Sequence, residues 1–319
     1  MNARARSLPT FVLVAATLAA VGCSDTQFRF DLSGGGGFYD LPFPTDLRLD
    51  AEGRPDLSGF PNPTANAVVD LLTTVAHEDA RGWSTGMPVY LAFTAPIDTP
   101  QLPEDPRAFE DPASPIQLID VDPASPERGR RFPLRVTLNP FDQSYRVGNL
   151  LEIIPVLGVE LREETTYAVI VTDDAPTLGF STLVANPDLT AVLFGLNPGG
   201  ALGAEAVDVY APLRDQLALE GVNPATVAAA TVFTTGDVVK ATFDLSQHVV
   251  ENYDVSLENL EVDPDDGADH DRFCEIIGTV DFPQFQQGTP PFDTEGLFEL
   301  GSDGMPIEQR KETAKIVIT

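Results

Sequence analysis

Proline at 28 positions and glycine at 25 divide this 319-residue chain into short segments. Proline lacks the N–H that a central strand donates and breaks helix interiors, so most elements must begin and end within a few residues. Between the breaks, β-branched and aromatic residues predict strands at 88–94, 116–121, 134–138, 150–154 and Thr166–Thr172, the last closed by Asp173-Asp174. A helix is expected over 64–79, with Thr64 as cap and Ala67, Val68, Leu71, Leu72 and Val75 forming one apolar face. A short helix is expected over 186–196 and a longer one over 204–220, the latter with Val207, Tyr210, Leu213, Leu217 and Leu219 as its apolar positions and Gly221 as its stop. After a turn at 223–226, Thr231-Val232-Phe233-Thr234-Thr235 reads as a closing strand. Short strands at this spacing predict a mainly β fold, a β-sandwich carrying a helical insertion, rather than alternating βαβ units.

Hydrophobic residues at 43% and charged residues at 21% are ordinary for a folded chain. The charge balance is not: 49 acidic residues against 19 basic ones give a formal net charge of -30. Such a surface repels phosphate backbones and anionic headgroups, which excludes nucleic acid as a partner and charge-driven adsorption to membranes. Aromatic residues make up 8% of the chain and show no aromatic platform along the sequence.

The first residues carry a location. Arg4 and Arg6 precede an apolar run over 11–21, too short for a permanent membrane span, and the run ends Ala20-Val21-Gly22-Cys23. This arrangement resembles the lipobox of bacterial lipoproteins, with Ala20 where leucine is common. The resemblance implies a signal peptide over 1–22, cleavage before Cys23, and lipid on the Cys23 thiol that holds the chain to a membrane. Ser24 beside it resembles an outer-membrane sorting signal. The alternative is an ordinary secretory leader followed by an incidental cysteine. Residues 23–37, polar at Ser24-Asp25-Thr26-Gln27 and glycine-only from Gly34 to Gly37, are expected to be a flexible tether. The only other cysteine is Cys274, so lipidation leaves no pair for an intramolecular disulfide, and Cys274 is expected as a buried thiol.

Gly82-Trp83-Ser84-Thr85-Gly86 matches the G-x-S-x-G letters of serine hydrolases. A nucleophile elbow needs a strand before the serine and a helix after it, whereas here a helix precedes and a strand follows, with Pro88 in the way of any new helix. A glycine-flanked turn is therefore expected at Ser84, and none of His77, His248 and His270 is assigned to catalysis. Asp263, Asp265, Asp266 and Asp269 crowd oxygen ligands around Gly267 and admit calcium as a reading. Their spacing lacks the terminal glutamate of a twelve-residue calcium loop, so a solvated acidic turn is expected, with no metal, no cofactor and no catalytic residue assigned.

Three runs carry a wider resemblance: Phe38-Tyr39-Asp40-Leu41-Pro42-Phe43-Pro44-Thr45-Asp46-Leu47-Arg48, Thr165 to Thr172, and Val232-Phe233-Thr234-Thr235. Together they resemble the N-terminal module of bacterial surface lipases and related secreted α/β-hydrolases, whose central part looks like a bacterial Ig-like domain of the surface-layer type. The resemblance implies an Ig-like sandwich over 38–240 and a β-rich connector over 241–319. Within the connector, residues 281–292 resemble the linker before a catalytic domain and 309–319 its first strand. A catalytic triad of such a family would lie beyond these residues. Two function classes follow: a membrane-anchored, non-catalytic module of a surface lipase or esterase, partnered by a C-terminal hydrolase domain, or a self-contained Ig-like lipoprotein that binds surface glycan or protein.

Overall fold

Residues 25–37 do not behave as a tether. In the computed structural model, which describes residues 25–179, 181–264, 275–292 and 296–318, β1 (Thr26–Gln27) pairs in parallel with a later strand. Phe28, Phe30 and Leu32 beyond it are buried. Their period-2 spacing puts all three on one side of an extended segment, where Phe28 stacks on Phe30 and meets Phe93. The glycine run forms a tight turn, with the Gly35 amide donating to Ser33 Oγ and the Gly37 amide to Asp40 Oδ2.

The chain divides after Gly236 into two units, close to the expected boundary at 240. In the N-terminal unit, α1 (Ala67–Asp79) is capped by Asn66, whose side chain accepts the Val68 amide, and not by Thr64. Then come β2 (Val89–Ala92), β3 (Ile116–Asp120), β4 (Leu134–Asn139), β5 (Leu150–Pro155), β6 (Thr166–Thr172) and β7 (Leu183–Val184). The helical excursion follows as α2 (Pro187–Leu193), α3 (Gly203–Val209) and α4 (Ala211–Glu220), and β8 (Val227–Thr234) closes the unit.

The strands form two antiparallel sheets, ordered β2-β5-β4 and β3-β6-β8, besides the short β1-β7 pair. One hydrophobic core draws on both sheets, with Leu91 and Ile153 from the first and Leu118, Val169 and Val232 from the second. Strand β6 lies between β3 and β8 and buries every residue from Tyr167 to Val171. This is why its sequence is a continuous apolar run rather than an alternating one.

Two expected elements change shape. β8 begins at Val227, ahead of the expected 231, because Ala228, Ala229 and Ala230 join it despite their helix propensity. All three are fully buried, and their small side chains allow α2 to pack closely on the strand. The expected single helix over 204–220 breaks at Tyr210, since Pro212 falls in the first turn of α4 and cannot donate backward. Tyr210, Leu213 and Leu217 are buried as the period demands, whereas Leu219 lies off their face and is 70% exposed. Gly221, at φ 70°, ends α4 in the left-handed region.

The C-terminal unit holds α5 (Lys240–Asn252), β9 (Leu257–Val262), β10 (Ile276–Gln284) and β11 (Arg310–Ile318), with the antiparallel order β11-β10-β9. Residues 281–284, expected in a linker, instead end the central strand. Pro283 is tolerated there because β9 pairs with β10 only as far as Val280, leaving one side of β10 open at the proline. The segment expected to open another sheet is β11, which pairs with β10 over nine residues, from Ile276↔Ile318 to Gln284↔Arg310. Val280 and Phe285 are buried, but Leu257, Leu260, Val262, Phe282 and Val317 stay about half exposed. Among the described residues, no helix is long and apolar enough to cross a membrane.

Candidate ligand cavity

Cys23, Cys274, His270, Asp265, Asp266 and Asp269 lie outside the described residues. The lipidation site and the calcium reading are therefore not addressed by the fold. Among the described residues, no group of three or more histidine, cysteine or carboxylate side chains is placed to hold a metal ion. His77 is half-buried, with Nδ1 donating to the Pro55 carbonyl at 2.9 Å. His248 Nδ1 lies 3.3 Å from Asn252 Nδ2, and its ring meets Tyr253 edge-on.

Ser84 is exposed, and its Oγ accepts the Gly86 amide at 3.4 Å, closing a local turn. Helix α1 precedes the motif and β2 follows it, the reverse of a nucleophile elbow. The glycine before Trp83 has a packing role instead. Gly82 sits at φ +71°, and a Cβ there would lie 2.7 Å from the Gly236 nitrogen. Trp83 is buried, bridges to Thr235, and donates its indole N–H to Asp46 Oδ1 at 3.1 Å.

Asp46 joins two of the runs on which the resemblance rests. Its Oδ1 also accepts the Thr234 amide at 2.8 Å, its Oδ2 accepts the Thr234 hydroxyl at 2.6 Å, and Thr231 Oγ1 donates to the Pro44 carbonyl at 2.6 Å. The Pro-Phe-Pro-Thr-Asp loop is thereby fastened to β8. Burial pushes the Asp46 carboxyl above its ordinary range, against the opposing pull of the three hydrogen bonds.

The loop also aims Phe43 into a cavity of about 460 Å³. Phe43 and Tyr90 exchange backbone hydrogen bonds, so their rings stack with centroids 6.5 Å apart. Tyr39 and Phe60 extend the aromatic wall, and Phe38 braces Phe43 and Phe60 from behind at 5.2 Å each. Leu57 and, from α1, Val69, Leu72 and Thr73 complete the apolar side.

Polar groups gather at the end lined by Tyr145 and Arg146. Tyr39 OH donates to the Tyr145 carbonyl at 3.0 Å, and the Arg146 guanidinium reaches both Glu152 at 3.2 Å and Tyr90 OH at 3.4 Å. Burial drives the Tyr39 phenol up to about 12. Tyr90 is also raised, first by burial and then by Glu152, with Arg146 opposing. Both phenols are neutral at physiological pH, and the Arg146–Glu152 pair brings no net charge. The chemistry is that of a small-molecule site: apolar and aromatic walls with a few hydrogen-bonding groups at one end.

No family model, curated protein or solved structure matches this chain. The cavity escaped the sequence because Tyr39, Phe43, Phe60, Tyr90 and Tyr145 are scattered along more than a hundred residues and share no period. No platform is visible along the sequence, and it is the fold that makes these rings converge. The cavity's one local signal was the cluster of Phe38, Tyr39 and Phe43 just before an amphipathic helix.

Proposed function

We propose that this chain is a lipid-anchored, extracytoplasmic binding module, non-catalytic in its own right, that takes a small apolar or aromatic ligand into the cavity beside α1. The cavity carries this reading: its volume lies within the range of small-molecule pockets, and its polar end would orient a ligand with one neutral hydrogen-bonding group. The lipobox-like run at Cys23 supports the anchor. Two antiparallel sheets sharing one core support an Ig-like sandwich with a helical insertion, and the pairing of β11 with β10 supports a self-contained module.

A second reading keeps the chain as the N-terminal module of a surface lipase or esterase-like hydrolase. It is favoured by the C-terminal unit, where, among the described residues, one edge of β11 is unpaired and several apolar side chains are exposed, as on a surface awaiting another domain. In that arrangement the cavity would help present the acyl or aromatic part of a substrate.

Thermal unfolding of the chain in the presence of 1-decanol, 4-phenylbutanol or cellobiose tests the binding reading. The two amphiphiles are expected to raise the unfolding midpoint. Thr73→Trp, which fills the cavity from the α1 side, should weaken them tenfold or more, a loss of about 1.4 kcal/mol. Stabilisation by cellobiose alone would favour a glycan ligand, and amphiphile binding indifferent to Thr73→Trp would overturn the cavity as the site.

A further inference from the structure

Helix α1 presents its apolar stripe to the outside. Val68, Leu71, Leu72 and Val75, at i, i+3, i+4 and i+7, are 61%, 62%, 62% and 42% exposed, and no residue of the helix is buried. The apolar face that the sequence predicts is present, and it lies on the outer side of the helix. The inward side consists of the half-buried Val69, Thr73, Ala76 and His77. Polar contacts hold the helix in this orientation: Asn62 Nδ2 donates to Asp70 at 2.8 Å, Asn66 caps the first turn, and His77 donates to the Pro55 carbonyl. A stripe of this kind on a helix fixed from its other side is a contact surface.

The chain before the fold indicates what the surface meets. Thr26 is fully buried, and its amide donates to the Thr182 carbonyl at 2.8 Å, so the fold begins three residues after Cys23. Three residues span about 10 Å at most. Lipid on Cys23 would therefore hold Thr26 within about 10 Å of the bilayer. At that distance the lipid surface is present at high effective concentration, and even a weak apolar contact is populated. The stripe contains no lysine or arginine, and the chain is strongly acidic, so the contact rests on apolar insertion into neutral lipid and not on charge.

We infer that the outer face of α1 docks on the neutral lipid surface to which Cys23 is anchored, laying Val68, Leu71 and Val75 into its headgroup boundary while Leu72 stays at the cavity edge. This inference rests on the lipid-anchor reading, and the test separates the two. The chain from Cys23 onward, carrying Cys274→Ser, is coupled through the Cys23 thiol to a maleimide lipid in phosphatidylcholine vesicles, which supplies the anchor whether or not cells acylate it. Leu71→Trp places a fluorescent reporter on the stripe, while the native Trp83 stays buried.

Lipids brominated in the acyl chains are expected to quench the emission of the Leu71→Trp reporter, and adding Val68→Asp with Val75→Asp should abolish the quenching while leaving the unfolding midpoint in place. Emission unchanged by bromolipid would overturn docking. So would a stripe buried instead between two coupled copies, seen as quenching that is absent at high protein density and appears only on dilution of the protein within the vesicle. The mass of Cys23 in protein from cells reports on the anchor separately: docking with an unmodified Cys23 removes the anchor reading alone.

Discussion

Replacing Asp46 with alanine is expected to destabilise the N-terminal unit by about 2–4 kcal/mol, measured by urea unfolding, because three donors, two of them N–H groups, lose their acceptor in a poorly solvated place. The donors are the Thr234 amide, the Trp83 indole N–H and the Thr234 hydroxyl. Asp46→Asn keeps an oxygen for the first two and should cost much less. The two variants also separate in pH dependence. Burial raises the folded-state pKa of Asp46 above its unfolded value of about 3.9. A group raised in this way contributes its full stability below the unfolded pKa and loses it as pH rises through the folded one. Wild type should therefore lose part of its stability across that interval as pH increases, and Asp46→Asn should not show that component.

Gly236→Ala and Gly82→Ala are each expected to cost about 3 kcal/mol or more, whereas Ser84→Ala should stay within about 0.5 kcal/mol. A Cβ on Gly236 would run into the carbonyl of Arg81, and one on Gly82 would meet the Gly236 backbone at 2.7 and 2.8 Å while the residue holds φ +71°. Neither obstacle is a flexible side chain that could move aside. Gly82, the first glycine of the G-x-S-x-G letters, is thus explained by backbone packing of the Trp83 turn against the end of β8, and the serine by local turn closure, whereas Gly86 has open space around it. The same Ser84→Ala protein, assayed for ester hydrolysis, checks the turn role from the other direction: activity present in the wild type and absent in the folded variant would contradict it.

Strands were legible where burial is two-sided and local. Thr166–Thr172 is a continuous β-branched and aromatic run, and the sheet leaves it no alternative. Gly221 was legible because a left-handed helix stop has few other solutions. Three features were hidden for distinct physical reasons. The stripe on α1 has the period of a core-facing helix, but period specifies a face and not its direction, and the polar contacts of Asn62, Asn66 and His77 turn it outward. Polar residues and glycines disguised residues 25–37, although Phe28, Phe30 and Leu32 alternate as a strand-like segment should. The cavity depends on long-range convergence, Tyr39 meeting Tyr145 and Phe43 meeting Tyr90, and no window short enough to show a helical or strand period contains both members of either pair.

These corrections change what the anchor means. With lipid on Cys23, a spacer over 23–37 would let the unit move freely above the membrane, whereas a fold that begins at Thr26 would hold it close to the surface. The most direct measurement is the mass of the N-terminal peptide from the full chain expressed in a lipoprotein-processing bacterium and extracted from its membranes. The expected result is a chain beginning at Cys23 and carrying a diacylglyceryl group on the thiol. A chain cut elsewhere, or one released with Cys23 unmodified, would contradict it.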